Sequence, residues 1–521
     1  MIDGVVRGRE VRRPLSLKAD AVVVGSGAGG AVVARELACA GRDVVVLEEG
    51  GYYAAEHYAT MTPTNTFRRM AREASLASAV GLGETPLIPV LSGKCVGGSS
   101  VLTGGVCFRI PDEVLHGWVH DLGLHALAAE ALEEHFRAIE RAVHVETVPD
   151  AMQSRSAELF VEGAARLGIP MKRLRRNTRG CRGEGRCNFG CPHGAKLSVD
   201  VSMLPDASAH GARIVSDALV ERVVLDGSRA AGVRGRLLDE TGEPAVPFEV
   251  TANVVVVACG SLHTPVLLRR SGLRARHLGR DLTLHPSTRV YAIFDERVDG
   301  WDGAFQSAYS DHFFESDGIT LISAFGVPNL LAAGFPGVGA RHRRYVELIP
   351  HMAAFGAMVH DDGGGRVRRW VSREPLVTYR MAARDRGRLF KAMRVLAEMA
   401  FAAGAREVLL PIFGAPPLRS VGELEARLAD PPSARRVECV AFHPLGSAKM
   451  SARARDGVVR PSGETWEARG LYVADGSVLP TSIGVNSQLA IMAVARKIAH
   501  GIAPPAVPRA VRAFSWPRSP S

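Results

Sequence analysis

The amino-acid sequence predicts an α/β protein with a mostly parallel sheet, into which a second, α+β domain with an antiparallel sheet is inserted. Three observations carry this prediction. Residues 20–48 have the pattern of strand, helix and strand in the order of a βαβ unit. Residues 254–260 form a continuous apolar run, which is typical of a strand buried on both faces of a parallel sheet. From residue 290 to about 410 the pattern changes to scattered strands and one clear helix.

The βαβ unit carries the strongest functional signal. Its predicted strand 20–25 runs into a glycine-rich turn, helix 29–40 follows, and strand 43–48 ends in Glu48. Such glycines let backbone N–H groups approach a pyrophosphate at a helix N-terminus, and the acidic residue suits the ribose hydroxyls. A tight turn in an ordinary α/β layer is the alternative, and it leaves Glu48 without a role. The predicted nucleotide contacts before Glu48 are Gly25, Ser26, Gly27, Ala28 and Gly30. The nucleotide at this point is either NAD or FAD.

Composition excludes several classes of protein. The 521 residues are 46% hydrophobic, which is enough for a large core, and the net charge of +10 is spread without a block of like charge. We therefore expect no nucleic-acid partner. The N-terminus has no apolar run behind its charges, and no stretch resembles a transmembrane segment, so we expect a cytoplasmic protein. Eight cysteines are too few for a disulfide scaffold.

The remaining elements are predicted in chain order. A helix with an apolar stripe at helical spacing ends at Gly404, and a final buried strand precedes an apolar helix near the C-terminus. The predicted strands are 212–220, 222–225, 232–238, 248–257 and 470–476, and the predicted helices are 384–403 and 489–502. The last strand is predicted to rejoin the first sheet, and the chain after residue 505 is predicted to be a disordered tail, 506–521.

Four further segments together resemble the glucose-methanol-choline (GMC) family of flavoprotein oxidoreductases, in particular its cholesterol oxidase and long-chain alcohol oxidase branch. They are Gly93-Lys-Cys-Val-Gly-Gly-Ser-Ser-Val-Leu-Thr103, the segment from Gly260 to Gly272, His443-Pro-Leu-Gly-Ser447, and Leu471 to Asn486. Thr103 stands where the family usually has Asn, and Arg274 stands where glycine is usual.

The resemblance implies FAD as the nucleotide and a GMC fold with a Rossmann-type FAD-binding domain. It implies further FAD contacts, with the main chain near Val220 at the adenine and Asp475 near the diphosphate and ribityl chain. The residues are Gly93, Gly97, Gly98, Ser99, Val220, Gly260, Asp475, Gly476 and Asn486. No histidine lies between Gly93 and Gly105, so we expect non-covalent FAD. We expect a discontinuous FAD-binding domain at 1–289 and 436–505 and a substrate-binding domain at 290–435.

Alcohol oxidation on a flavin needs a base for the hydroxyl proton and a donor that holds the oxygen. The resemblance places His443 as the base and Asn486 as its partner. Asn486 is also a candidate N-cap of the helix that follows it. His285, followed by a proline, is interpreted as part of the hinge between domains.

A loop at 180–196 carries Cys181, Cys187 and Cys191 with the spacing C-x5-C-x3-C-P. This spacing resembles the iron–sulfur loop of FAD-dependent glucose dehydrogenase catalytic subunits. A Cys3His zinc site with His193, and a constrained loop without metal, are the alternatives.

The predicted activity is FAD-dependent oxidation of the CH–OH group of an apolar alcohol, long-chain or steroid-like, to an aldehyde or ketone, with hydride transfer to flavin N5. The electron acceptor is dioxygen or another acceptor. One alternative is a GMC dehydrogenase that passes electrons through the iron–sulfur cluster. Another is a redox-neutral GMC flavoenzyme of the hydroxynitrile lyase or photodecarboxylase type.

Overall fold

The structure is a computed structural model that describes residues 2, 4–335, 337–370 and 373–504. The predicted tail 506–521 therefore lies outside the described residues. The side chains of residues 329, 330 and 333 are also not described.

A six-stranded parallel sheet organises the nucleotide-binding part of the chain. Its spatial order is β1-β10-β4-β3-β14-β22, and its strands are β1 (Val6–Arg7), β3 (Ala21–Val24), β4 (Val44–Leu47), β10 (Arg213–Ser216), β14 (Val254–Val257) and β22 (Leu471–Val473). Valine dominates β3, β4 and β14, whose side chains are almost all buried, as expected for a sheet covered on both faces. The strand β22 pairs with β14 in register Val255 to Leu471, so the C-terminal part of the chain completes this sheet as predicted.

Helices cover the parallel sheet. Helix α1 (Ala28–Cys39) begins directly after the glycine turn and packs against α14 (Gln488–Ile502) and α7 (Met203–Ala209). The other helices are α2 (Ala55–Thr60), α3 (Pro63–Met70), α4 (Asp112–His120), α5 (Ala129–Ala142), α6 (Arg155–Arg166), α8 (Gly260–Arg270), α9 (Phe314–Asp317), α10 (Pro328–Gly334), α11 (Ala340–Glu347), α12 (Ala383–Ala402) and α13 (Val421–Ala429).

The second large sheet is antiparallel in all its pairs and has the order β21-β15-β18-β17-β16-β8. Its strands are β8 (Lys172–Arg173), β15 (Ser287–Ile293), β16 (Ala308–Ser310), β17 (Ile319–Ser323), β18 (Met352–Val359) and β21 (Glu407–Leu409). Helix α12 packs on β15 and β18 through its apolar stripe, which includes Leu389, Met393 and Leu396. The fold class predicted from the sequence is confirmed.

Three smaller sheets complete the described structure. One has the order β11-β12-β13-β2, with β2 (Leu15–Lys18), β11 (Ala218–Asp226), β12 (Arg229–Leu238) and β13 (Pro244–Thr251). Another has the order β19-β20-β5-β6, with β5 (Ser78–Gly81), β6 (Ile88–Pro89), β19 (Gly365–Arg368) and β20 (Leu376–Tyr379). The third pairs β7 (Val145–Thr147) with β9 (Arg175–Asn177).

Two strand predictions were wrong in their extent. Residues 248–257 are not one strand, because β13 ends at Thr251 and β14 begins at Val254 in a different sheet. Residues 212–220 likewise divide between β10 and β11. In both cases the apolar pattern continues across a change of direction. The predicted domain boundaries stay a prediction, although β8 comes from the segment assigned to the FAD-binding domain and pairs with β16.

Candidate active site

The glycine turn after β3 forms one end of a long cavity. Gly25 has φ of +101°, and a Cβ atom there would lie 2.3 Å from the carbonyl oxygen of Ala258. A Cβ on Gly29 would lie 1.8 Å from the carbonyl oxygen of Ala474. By contrast, the nearest atom to a Cβ on Gly27 is 3.9 Å away, and Gly27 lines the cavity. Gly25 and Gly29 are therefore required by packing, and Gly27 leaves space for a ligand at the N-terminus of α1.

Glu48 links the two glycine-rich segments through Ser26. Its Oε2 accepts hydrogen bonds from the Ser26 backbone N–H at 3.0 Å and from the Ser26 hydroxyl at 2.8 Å, and its Oε1 accepts from the Gly50 N–H at 2.9 Å. Ser26 Oγ also accepts a bond from the Gly97 N–H at 3.0 Å. Burial raises the pKa of Glu48, although these hydrogen bonds favour the ionised carboxylate. Glu48 lines the cavity. Ser26 and Gly97 do not line it, but Ser26 connects Glu48 to Gly97 through hydrogen bonds.

Asp475 also lines this cavity and accepts several hydrogen bonds. Its Oδ2 accepts from the Gly260 N–H at 2.9 Å and from the Thr264 hydroxyl at 2.5 Å. Its Oδ1 accepts from the backbone and the hydroxyl of Ser477, at 2.8 and 2.5 Å. Burial raises the pKa of Asp475, while these bonds favour the carboxylate. Asp475 thus joins the start of α8 to the turn that follows β22.

The structure brings most predicted site residues to this one cavity. The predicted residues that line it are Gly25, Gly27, Ala28, Glu48, Gly93, Gly98, Ser99, Val220, Gly260, His443, Asp475, Gly476 and Asn486. Ser26, Gly30 and Gly97 are not among the lining residues. Arg72, His263, Gln488 and Gly29 also line the cavity, and the sequence analysis did not find them. Gly29 belongs to the same glycine run, so the run itself was a signal that could have found it.

A second cavity of about 330 Å³, here called the inner cavity, meets the long cavity end to end. The residues that line both are Ser92, Gly93, Ser99, Thr103, Phe442, His443 and Asn486. Beyond this junction the inner cavity is lined mainly by apolar side chains, among them Phe67, Phe189, Ile322 and Phe325.

His443 and Asn486 lie together at the junction. The Asn486 side-chain nitrogen is 3.1 Å from His443 Nε2, so a single hydroxyl oxygen fits within hydrogen-bond reach of both side chains. His443 Nδ1 and Asn486 Oδ1 are buried without a hydrogen-bond partner in the described chain. The Asn486 side chain does not cap α14, whose N-cap residue is Ser487.

His285 lies next to His443, with ring centroids 5.5 Å apart. It is fully buried, and its Nε2 accepts from the N–H groups of Ile483 and Gly484, at 3.0 and 3.2 Å. Burial lowers the pKa of His443 to about 3, and the nearby His285 makes a smaller contribution in the same direction. The imidazole of His443 is therefore uncharged across physiological pH.

An ion-pair cluster borders the long cavity, and we call it the clasp. Arg72 Nη2 lies 2.5 Å from Glu49 Oε2, and its Nη1 lies 3.3 Å from Glu374 Oε1. His263 Nε2 is 2.9 Å from Glu374 Oε2. Burial alone would raise the pKa of both carboxyl groups. Arg72 nevertheless lowers the pKa of Glu49 to about 2. His263 and Arg72 lower the pKa of Glu374 to about 2. The clasp joins four separate segments at the cavity.

The cysteine loop packs against the junction without forming a compact metal-ligand group. Cys181, Cys187 and Cys191 are free thiols, and they do not form a group with all ligand atoms within 4.8 Å of one another among the described residues. Cys187 Sγ instead accepts a bond from Arg176 Nη2 at 2.8 Å. Although burial opposes it, Arg176 lowers the pKa of Cys187.

Lys196 connects the cysteine loop to the junction. Its Nζ donates to the carbonyl oxygens of Val101 at 2.6 Å, Thr103 at 2.9 Å and Cys187 at 2.7 Å. Burial lowers the pKa of Lys196 to about 8. The loop therefore supports the Gly93–Thr103 segment, and its Asn188 and Phe189 reach the inner cavity.

The structure has a parallel sheet with a glycine-lined ligand cleft, and a histidine and an amide lie where this cleft meets an apolar cavity. This arrangement is typical of a dinucleotide-dependent enzyme. Family models described as GMC oxidoreductase match residues 19–287 and 367–495. The chain belongs to the GMC oxidoreductase family, and it is an FAD flavoprotein of the oxidoreductase class.

Similar proteins agree with this assignment. An uncharacterized GMC-type oxidoreductase of Mycobacterium tuberculosis (strain ATCC 25618 / H37Rv) is 41% identical over 93% of this chain and 76% of its own length. A long-chain-alcohol oxidase of Arabidopsis thaliana is 29% identical over 96% of this chain and 68% of its own. The crystal structure of a formate oxidase superposes with a TM-score of 0.70 at 16% identity and covers 94% of this chain and 99% of its own, which shows the fold.

The residues present fit FAD. The open space at Gly27 suits a pyrophosphate, Glu48 suits ribose hydroxyls, and the buried unpaired atoms at the junction suit the polar edge of a flavin ring or a substrate hydroxyl. In the described part of the chain, the helices are too short or too polar to cross a bilayer.

Proposed function

We propose that this protein oxidises the CH–OH group of an apolar alcohol to an aldehyde or ketone, with His443 as the base. The observation that carries this proposal is the contact between His443 and Asn486 at the junction of a cofactor cleft and an apolar cavity. FAD, bound without a covalent link, supplies the hydride acceptor at flavin N5. The likeness to a long-chain-alcohol oxidase agrees with the apolar walls of the inner cavity.

Asn486 and His443 have different roles in the proposed reaction. Asn486 donates to the hydroxyl oxygen and orients it, and His443 Nε2 accepts the hydroxyl proton as the C–H bond of the carbinol carbon breaks. Burial keeps His443 neutral, so its Nε2 carries a lone pair. This lone pair faces the Asn486 side-chain nitrogen at 3.1 Å, and the substrate hydroxyl takes the place of that contact. The apolar inner cavity excludes water from the reacting carbon.

For the electron route, we propose dioxygen or another external acceptor, with the cysteine loop as a structural support. The bond from Arg176 to Cys187 and the contacts of Lys196 favour this role. Iron and sulfide analysis of anaerobically purified protein tests it. Stoichiometric iron with a visible cluster spectrum would favour instead the dehydrogenase that uses an iron–sulfur cluster.

Anaerobic mixing with an alcohol series tests the reaction itself. We expect bleaching of the oxidised flavin band and formation of one carbonyl product per flavin. Turnover without bleaching would favour a redox-neutral flavoenzyme. Release of intact FAD after acid denaturation tests the absence of a covalent link.

A further inference from the structure

Arg289 places a charged group in the wall of the inner cavity, which is otherwise mainly apolar. It lies on β15, and four residues of this strand line the cavity: Ser287, Thr288, Arg289 and Tyr291. The strand begins near the catalytic pair, because the Ser287 N–H donates to the carbonyl oxygen of Val440 at 2.9 Å, three residues before His443. β15 then leads away from His443 along the cavity.

The position of Arg289 sets a distance from the reacting carbon. Each residue of a strand advances about 3.4 Å, so Arg289 lies roughly 7 Å and Tyr291 roughly 14 Å along the strand from Ser287. The guanidinium is bonded to Glu438, two residues further from His443 than Val440 is. It is placed to contact a different part of an elongated substrate.

The hydrogen bonds of Arg289 leave donors for a ligand. Its Nε donates to the Tyr291 hydroxyl, and its Nη2 donates to Glu438 Oε1 at 2.8 Å. Within the described chain, Nη1 has no hydrogen-bond partner. The side chain of Arg289 is 38% exposed, and Arg289 lines the inner cavity. An apolar substrate that filled the cavity would remove water from these N–H groups and leave them unsatisfied, which is costly.

The charge balance indicates which group fits. Glu438 neutralises Arg289, so a carboxylate in the same place would face a carboxylate that is already present. A hydroxyl or carbonyl oxygen accepts from the free N–H groups without adding charge. The Arg289 subsite, formed by Arg289, Tyr291 and Glu438, is therefore suited to an uncharged acceptor.

We infer that the Arg289 subsite binds a second, uncharged oxygen of the substrate, so that the substrate is an apolar alcohol with another hydroxyl or carbonyl group away from the oxidised carbon. This inference rests on the proposed alcohol oxidation. It makes Arg289 a specificity-determining residue that takes no part in the proton transfer.

Kinetics with paired substrates test the inference. For the holoenzyme we expect kcat/KM for α,ω-diols of one length range to exceed that for monoalcohols of equal length roughly tenfold, because an unmet donor penalises the monoalcohol. Arg289→Met should reduce this ratio to about one. Ile322→Val, at another residue that lines the inner cavity, is the matched control and should leave the ratio unchanged.

Glu438→Gln provides a second variant that keeps a hydrogen-bond acceptor but removes the negative charge. We expect this variant to gain activity toward ω-hydroxy carboxylic acids over the wild-type protein. FAD content and melting temperature establish that each variant is folded. An unchanged diol preference in folded Arg289→Met, or no gain with acids in Glu438→Gln, would overturn the inference.

Equilibrium binding gives a readout that is independent of turnover. Medium-chain diketones have one carbonyl oxygen for Asn486, a second for Arg289 and no hydroxyl to oxidise, so we expect them to bind the holoenzyme and to bind Arg289→Met more weakly, as measured by calorimetry. Unchanged diketone affinity in that variant would contradict the subsite. If no alcohol reduces the flavin while diketone binding depends on Arg289, the proposed function fails and the subsite stands.

Discussion

His443 is the residue on which the proposed chemistry depends most. Its ring lies at the junction of both cavities, its Nε2 contacts Asn486 at 3.1 Å, and no charged partner stabilises a protonated form. A substitution at this position removes the proposed base but leaves the glycine-lined cleft untouched.

We predict that His443→Gln retains FAD and slows flavin reduction by about two to four orders of magnitude, the usual loss for a general base. Anaerobic stopped-flow absorption measures the rate. His116→Gln, a change at an exposed histidine, is the control and should behave as the wild-type protein. Equal reduction rates in folded His443→Gln and wild-type protein would refute the assigned role.

The depressed pKa of His443 predicts an unusual pH profile. A base with a pKa of about 3 is neutral, and hence active, at every pH above roughly 5. We therefore expect kcat/KM for flavin reduction to stay flat between pH 5 and 8, where an unperturbed histidine with a pKa of about 6.5 would lose activity on the acid side. An acid limb near pH 6.5 would contradict the burial of this imidazole.

At the scale of elements, the glycine turn between β3 and α1 separates a folding requirement from a binding requirement. A methyl group on Gly29 would clash with the Ala474 carbonyl at 1.8 Å, whereas one on Gly27 meets nothing closer than 3.9 Å. We predict that Gly27→Ala folds but binds FAD poorly, and that Gly29→Ala is strongly destabilised. Measurements of flavin content and thermal unfolding distinguish the two variants. Full flavin content in Gly27→Ala would contradict the assignment of the space at Gly27 to FAD.

The clasp gives a second prediction at this scale. Because the pKa of Glu374 is about 2, its ion pairs contribute fully above an unfolded-state pKa of about 4.3 and are lost as the pH falls toward 2. We predict that Glu374→Gln releases FAD several-fold faster at pH 7 and shows a smaller loss of stability between pH 5 and 3. The exposed change Glu240→Gln is the control. Identical FAD release in Glu374→Gln and the control would contradict the clasp.

At the scale of the whole molecule, local patterns predicted the parts that local chemistry determines. The turn at Gly25, the strand ending at Glu48 and helix α12 follow from short-range periodicity and glycine spacing. His443 and Asn486 came from a family resemblance, and the structure places them in contact.

Contacts between distant segments could not be predicted in this way. Arg72 and Glu374 are 302 positions apart, and Arg289 and Glu438 are 149 apart. Nothing in the residues around each indicates its partner, because the partners come together only in the complete fold. The proximity of His285 to His443 likewise depends on the complete fold, and the hinge interpretation of His285 stays a prediction.

Alcohol oxidation with His443 as the base is tested most directly by anaerobic titration of the purified, FAD-containing protein with a medium-chain alcohol, followed at the visible flavin absorption band. We expect complete bleaching with one equivalent of aldehyde or ketone formed per flavin, and no comparable bleaching in His443→Gln. A folded protein with full flavin content that no alcohol reduces would contradict it.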